Sequence, residues 1–332
     1  MPETPSSKEF LMASAAIAAA AALGVGSASA ENTASVTMPA TSNKGIPTGK
    51  LGPLTVSRLF IGGNQLSGYA HCRDLRYVAE LMRTYLTDEK VFATWALCEE
   101  LGINTILTDP FERPVQLMKE YRKIGGKLQW ISEVHPAMSQ YQMTLQDLKE
   151  NVKQVADNGP QAIYVQGSIP DVMVKEGRVN EVVELIAAMK ATGLPSGIGA
   201  HSIETPKALL KVGIMPDFFV KTHHPDSYYT ATPREMRVEF NVDSGSSIDH
   251  DNIWDIFPEE TRKVMGQIEK PWIAFKVLAA GAVSPEEGFK YAFEGGADFI
   301  CVGMFDFHVK NNVETLKKVL SGEIKRTRPW RA

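Results

Sequence analysis

After Lys50 the chain alternates short β-branched or aromatic runs with longer stretches whose apolar residues recur at helical spacing. A period of two marks a strand and a period near 3.6 marks an amphipathic helix. Runs at 56–62, 104–108, 128–134, 162–166, 196–200, 218–222, 272–277 and 299–302 predict eight strands. Helices are predicted over 88–101, 113–124, 144–157, 178–192, 204–212, 258–268, 284–294 and 311–321. Thr144 with Asp147 three residues on makes a capping box, and Ser284 before Pro285 opens a helix with acids in its first turn. Gly102, Gly125, Gly193, Gly213 and Gly295 supply stop signals. Eight strand–helix units predict a closed (β/α)8 TIM barrel, an α/β fold. The competing arrangement is an open doubly wound sheet, but no GxGxxG follows the first strand. Two connections are long, 64–87 and 223–257, and loops of that length serve as lids or binding elements. The second holds Tyr228, Tyr229, Arg234, Arg237, His250, Asp251, Asn252 and Trp254.

The 332 residues, 44% hydrophobic and 22% charged, suit one large domain. The net charge of -4 is mild and scattered, and without a basic run the chain is not expected to bind nucleic acid. Residues 1–30 read as an export signal. Phe10 to Ala22 form an apolar stretch too short to span a membrane, and Ala28-Ser29-Ala30 fits a cleavage site. Ser6-Ser7-Lys8-Glu9-Phe10-Leu11 resembles a degenerate twin-arginine signal, with Ser7 and Lys8 in place of the arginines. Residues 31–46 read as a polar linker and 47–332 as the barrel domain. The expectation is an exported protein, in the bacterial periplasm or otherwise extracytoplasmic, with no membrane span in the mature chain; an uncut leader on a cytoplasmic protein is the alternative. Cys72, Cys98 and Cys301 form no CxxC, so neither a disulfide framework nor a cysteine zinc site is expected.

Chemistry enters through the histidines. His71, His135, His201, His223, His224, His250 and His308 all fall just after a predicted strand or in the loop beyond it. In such a barrel those loops form the rim that carries the active site, and imidazoles are the common proton carriers and metal ligands near neutral pH.

Short segments resemble the aldo/keto reductase superfamily over roughly residues 47–322. They are Leu51-Gly52 with Val56-Ser57-Arg58-Leu59 and Gly62-Gly63; Glu99-Glu100-Leu101-Gly102-Ile103-Asn104; Pro170-Asp171; Ile198-Gly199-Ala200-His201-Ser202; His224-Pro225; and Ala274-Phe275-Lys276-Val277-Leu278 with Gly281. The resemblance implies a barrel with an N-terminal hairpin. It also implies carbonyl reduction with a nicotinamide cofactor by a Tyr tuned by Lys, Asp and His. Those positions are replaced here. The Asp position falls on Leu107, with Asp109 close by, the Tyr position near Glu112, the Lys position on Glu133 and the His position on Ser168. Cofactor contacts become His201-Ser202, Val220 and Met304-Phe305, and only the nicotinamide-stacking aromatic persists, as Phe275. NADP(H) binding is therefore not expected, and the fold does not carry the function with it.

Glu133 and His135 share one face of a strand. If Glu133 takes the inward Lys position, His135 also faces the mouth, where His201 and one of His223 or His224 would join. The set Glu133, His135, His201 and His223 could bind a divalent metal. Glu133, His135, His201 and Lys276 could equally work as acid and base on a sugar-sized substrate. Lys276 is either the ion-pair partner of Glu133 or a Schiff-base lysine. Asp109, Gln166, His224, His250 and Asp306 are further rim positions expected to meet the substrate, although Asp109 could cap a helix and His224 could be structural. The expected function is proton transfer, as an epimerase, lyase or hydratase, on a small polyhydroxy molecule. The alternatives are a nicotinamide-dependent oxidoreductase with a displaced catalytic set and a sugar-binding protein without turnover.

Overall fold

The computed structural model describes residues 45–72, 75, 77–139, 141–237 and 254–332. The export signal, nearly all of the linker, and Asp249, His250, Asp251 and Asn252 lie outside the described residues.

A hairpin of β1 (Thr48–Leu51) and β2 (Leu54–Ser57) comes first, with Thr48 opposite Ser57. The barrel begins at β3 (Leu59–Gly62), followed by α1 (Tyr77–Tyr85), α2 (Asp88–Glu100), β4 (Thr105–Thr108) and α3 (Glu112–Lys123). Next come β5 (Gln129–Val134), α4 (Leu145–Asp157), β6 (Ala162–Val165), α5 (Ser168–Lys175) and α6 (Val179–Lys190). The chain continues through β7 (Ser196–Ala200), α7 (Glu204–Val212), β8 (Phe218–Thr222) and α8 (Pro258–Met265). It closes with β9 (Trp272–Phe275), α9 (Pro285–Glu294), β10 (Phe299–Gly303) and α10 (Asp306–Ser321). Strands β3 to β10 form a closed barrel of parallel neighbours in chain order, with β10 beside β3.

Alternation along each strand sorts the side chains. Phe60, Leu107, Ile131, Tyr164, Val220, Ile273 and Phe299 fill the barrel interior, and Leu51 and Val56 of the hairpin close its lower end. The intervening residues, such as Ile61, Ile106, Trp130, Ile163 and Trp272, point outward into the larger core beneath the helices. Gly199 is required where β7 passes β6, because a Cβ there would stand 2.5 Å from the Val165 carbonyl oxygen. The Thr144–Asp147 capping box forms as the sequence indicates, and Ser284 Oγ accepts from the Glu287 amide.

Four boundaries differ from the sequence reading. The run at 56–62 is two strands broken at Arg58. That side chain turns under the barrel, donates to the carbonyls of Asp298 (2.9 Å) and Ala332 (2.8 Å), and stacks on Trp330. Helix α1 lies inside the connection read as a loop. Helix α5 opens with Ser168-Ile169-Pro170 and is too short for its period to stand out. Helix α10 starts at Asp306, five residues earlier than expected, so His308 sits in its first turn.

Asp298 is fully buried beneath the barrel. It faces Arg328 at 2.5 Å and Arg326 at 3.4 Å, and it also accepts the Trp272 and Arg331 amides. Removing one partner of a buried ion pair leaves the other charge uncompensated. Asp298→Asn should therefore lower unfolding free energy by about 3–5 kcal/mol in a urea titration. A loss below about 1 kcal/mol, the range of exposed pairs, would mean the cluster is effectively solvated.

Candidate active site

Glu133 occupies the last inward position of β5, two residues above the interior residue Ile131. It pairs in register with Tyr164 on β6, and the Tyr164 hydroxyl donates to Glu133 Oε1 at 2.6 Å. The second oxygen lies 3.8 Å from His135 Nδ1, in contact but beyond hydrogen-bonding distance. Burial pushes the Glu133 carboxyl up to about 7; the Tyr164 hydrogen bond and the Lys276 charge oppose this, and Asp109 adds to it.

Lys276 follows the end of β9. In the barrel order β9 and β5 are four strands apart, so Glu133 and Lys276 approach the mouth from opposite walls. The Lys276 ammonium stands 4.1 Å from the centre of the Trp254 ring and 5.8 Å from that of Phe275. Burial brings its pKa down to about 7, with Glu133 pulling the other way. It forms no ion pair with a carboxylate of the described residues. Its backbone is left-handed, with φ +57°. Among the described residues only His71, Lys276, Ala279 and Ala280 share that conformation without being glycine, and the last two lie three and four residues after Lys276. Such positions are costly and concentrate where function demands them.

The connection after β3 supplies Tyr69 and His71. The His71 ring meets Trp254 at 5.5 Å, Nδ1 lies 2.9 Å from the Tyr69 carbonyl, and burial with the nearby Lys276 charge takes the imidazole down to about 3. The Tyr69 hydroxyl is raised by burial and by the carboxylates of Asp109 and Glu133. Asp109 is buried, accepts from Ser67 Oγ at 2.6 Å and from the Phe111 amide at 3.1 Å, and is raised by burial. It is thus both a local cap and part of the electrostatic surroundings of Glu133.

His201 packs between Trp254 and Phe275, each ring centre 5.3 Å away. Asp171 accepts its amide at 2.7 Å and lies 3.3 Å from its Nδ1, which places the Nδ1 proton toward the carboxylate. Asp171 also accepts from Ser202 and Thr205, and burial raises it to about 7. His135 and His201 are both lowered, by burial first. A neighbouring carboxylate by itself would raise these imidazoles. Desolvation outweighs that attraction, and the rings at the mouth are neutral hydrogen-bonding groups.

His223 does not enter the mouth. It is fully buried outside the barrel wall, with Nδ1 2.6 Å from Asp255 and its ring against Trp272 and Tyr291. His224 is an anchor, as its structural reading held. Its Nε2 accepts the amides of Trp254 (3.0 Å) and Asp255 (3.1 Å), and Nδ1 faces the Pro225 carbonyl. That bond fixes the returning loop so that Trp254 stands over Lys276. The described residues hold no group of three or more His, Cys, Asp or Glu side chains placed to share a metal ion. The set Glu133, His135, His201 and His223 is not assembled.

The remaining rim positions divide. Gln166 Oε1 accepts from the Ser168 amide and hydroxyl at the start of α5. Asp306 binds Tyr85 Oη at 2.6 Å and Lys90 at 2.9 Å on the outer surface, away from Glu133. Sequence reasoning placed His71 on the rim with the other histidines but gave it no role, and it did not name Tyr69 or Tyr164. Tyr164 was accessible by strand pairing with Glu133, whereas nothing in the sequence distinguishes Tyr69 from other residues of its loop.

The residues that would grip a nicotinamide cofactor do not fit one. Met304 is buried, and Phe305 stacks on Phe307 and meets the edge of Tyr85. Asp306 places a carboxylate at the start of α10 and already holds Lys90. Val220 belongs to the apolar interior. The face of Phe275 is met by His201 and Lys276.

No protein-family model and no curated protein matches the chain. Solved structures do. Two chains from Pseudomonas aeruginosa, assigned by name only to the aldo-keto reductases, superpose with a TM-score of 0.55; they are 19% and 20% identical, cover 82% of this chain, and are themselves covered over 94% and 96%. The apo form of Gox0644 superposes with a TM-score of 0.52 at 8% identity, covering 86% of this chain and all 100% of its own. The fold is therefore an aldo-keto reductase-like barrel with an N-terminal hairpin.

Between its ordinary value of 4.5 and about 7, the folded chain keeps on Glu133 a proton that the unfolded chain has released. This group's contribution to native stability thus falls as pH rises through that window. Glu133→Gln should match the parent near pH 4 and exceed it by up to about 3 kcal/mol above pH 7. Urea unfolding at several pH values checks this, and a gap that does not vary with pH would count against it.

Proposed function

We propose that the barrel is a non-redox enzyme that moves a proton at a carbon beside a carbonyl, in a small polyhydroxy substrate held at the mouth. Glu133 takes and returns the proton, and Lys276 faces the carbonyl from the opposite wall. Epimerisation, elimination and hydration all share this step. One observation carries it: two oppositely charged groups from facing strands both titrate near 7 without being joined in an ion pair. General acids and bases work best when poised near the working pH. Trp254 and Phe275 offer flat apolar faces suited to the C–H face of a sugar, while Tyr69, His71 and His135 offer polar contacts. The leader supports an extracytoplasmic site of action, which suits chemistry without a soluble nicotinamide cofactor.

Incubation with a panel of aldoses, ketoses and hydroxy acids in deuterated water should give carbon-bound deuterium by NMR for at least one compound. Glu133→Gln should lower the rate by roughly 10²-fold or more. Exchange in the parent that persists at full rate in Glu133→Gln would exclude Glu133.

NADPH should bind only weakly, because several charge-assisted contacts of about 1.5–3 kcal/mol each are replaced. A micromolar dissociation constant by fluorescence quenching would favour the oxidoreductase alternative instead.

A further inference from the structure

We propose that the Lys276 amine is a nucleophile that condenses with the carbonyl of a small hydroxyaldehyde or hydroxyketone, so that Glu133 acts on an iminium rather than on a free carbonyl. This rests on the Glu133–Lys276 site described above and names its substrate class and covalent step.

The protein contains its own control. Lys221 on β8 is also a buried lysine, and it is fully satisfied: it donates to the Thr222 carbonyl at 3.0 Å and hydroxyl at 2.8 Å, and lies 3.6 Å from Asp255. That is how a structural lysine is held. Among the described residues Lys276 has no hydrogen bond or ion pair of this kind. Its nitrogen faces the rings of Trp254 and Phe275, which hold an amine in place without accepting a hydrogen bond of ordinary strength. Glu133 from β5 acts on it, and its charge in turn lowers His71 from the β3 connection and His201 after β7, so the nitrogen lies among three walls of the mouth. The left-handed residues Lys276, Ala279 and Ala280 fix the segment that carries it. Desolvation of this kind is a recognised way to make a lysine nucleophilic at neutral pH.

The step balances without an oxidant or reductant. The neutral amine's lone pair attacks the carbonyl carbon, the C=O π pair moves to oxygen, and a proton passes from nitrogen to that oxygen, giving a carbinolamine. The protonated Glu133 carboxyl donates to the hydroxyl, which leaves as water, and an iminium remains. The resulting carboxylate removes the proton from the adjacent carbon, whose C–H pair becomes a C=C bond while the C=N pair returns to nitrogen. Reprotonation on the other face inverts the carbon, and loss of a β-hydroxyl eliminates water. Hydrolysis of the iminium restores the amine.

The test uses the full chain with glycolaldehyde and with dihydroxyacetone, trapped by borohydride near pH 7 and mapped by peptide mass spectrometry. Lys276 should be labelled at least roughly tenfold faster than surface lysines, because only a minute fraction of an ordinary lysine is neutral at that pH. Lys276→Arg, checked for its fold by circular dichroism, should lose this label and the deuterium exchange together. Glu133→Gln should keep the label at a reduced rate and lose the exchange. Exchange in the parent should pass through a maximum near pH 7, since attack needs the neutral amine and loss of water needs the protonated Glu133 carboxyl; a rate that does not change between about pH 5 and 9 would overturn these paired roles. Lys276 labelled no faster than surface lysines by either probe overturns the covalent step. If Glu133-dependent exchange survives that result, the proposed function stands alone; if exchange is absent as well, both fall.

Discussion

Closure of the barrel governs everything at its mouth. Once eight parallel strands close on themselves, alternate side chains must point to one axis, and strands four apart must face each other. Most inward positions are apolar, with Phe60, Ile131, Phe218, Val220 and Ile273 filling the interior. The last inward position of β5 is Glu133, and the first residue beyond β9 is Lys276. Both stand above this apolar floor, near enough for each charge to act on the other. Both are consequently shifted toward neutrality, the carboxyl upward and the ammonium downward, and their attraction only partly offsets the desolvation of each.

A second buried network, on the other side of the wall, makes that geometry durable. Asp255 sits between Lys221, His223 and Thr261, and despite burial Lys221 and His223, with His224, hold its carboxyl well below the usual range. Asp255 and Trp254 are adjacent, and His224 accepts the amides of both. The residue that anchors the loop and the residue that covers Lys276 are therefore neighbours in the chain. His223 and His224 are spent on this support. The two charge clusters differ in kind: in one the opposite charges are paired and serve position, and in the other Glu133 is held by Tyr164 while Lys276 forms no ion pair among the described residues.

The barrel was legible because its signals are local and repeated. Eight runs separated by capped helices survive small errors in any one of them, and a capping box such as Thr144–Asp147 needs only four residues to declare itself. The break at Arg58 was not legible, since it depends on Asp298 and the 326–332 segment far along the chain. The site was legible in part. Glu133, His135, His201 and Lys276 could be placed at the mouth from strand alternation and resemblance. Their charge states could not, because burial is set by residues distant in sequence. Lys221 escaped notice because parallel strands covered on both faces lack a clear polar alternation. His223 was misplaced for the same reason.

The reductase-like frame and the chemistry at its mouth are separable in physical terms. The frame depends on the apolar inward layers, on the helix-facing residues such as Trp130 and Trp272, and on a close strand crossing at Gly199. Frame and chemistry meet at Tyr164, which fills the interior while its hydroxyl donates to Glu133. The end of the barrel where a dinucleotide phosphate would need cations instead presents Phe305, Phe307 and an Asp306 already bound to Lys90 and Tyr85. A carboxylate there repels phosphate, and aromatic rings in mutual contact leave no donors to replace the phosphate's water. The unpaired lysine and the raised carboxyl lie at the mouth itself, where a small carbonyl compound would meet both at once. A raised carboxyl and an amine on facing walls suit such a molecule far better than a long dianionic cofactor that would meet the Asp306 carboxylate.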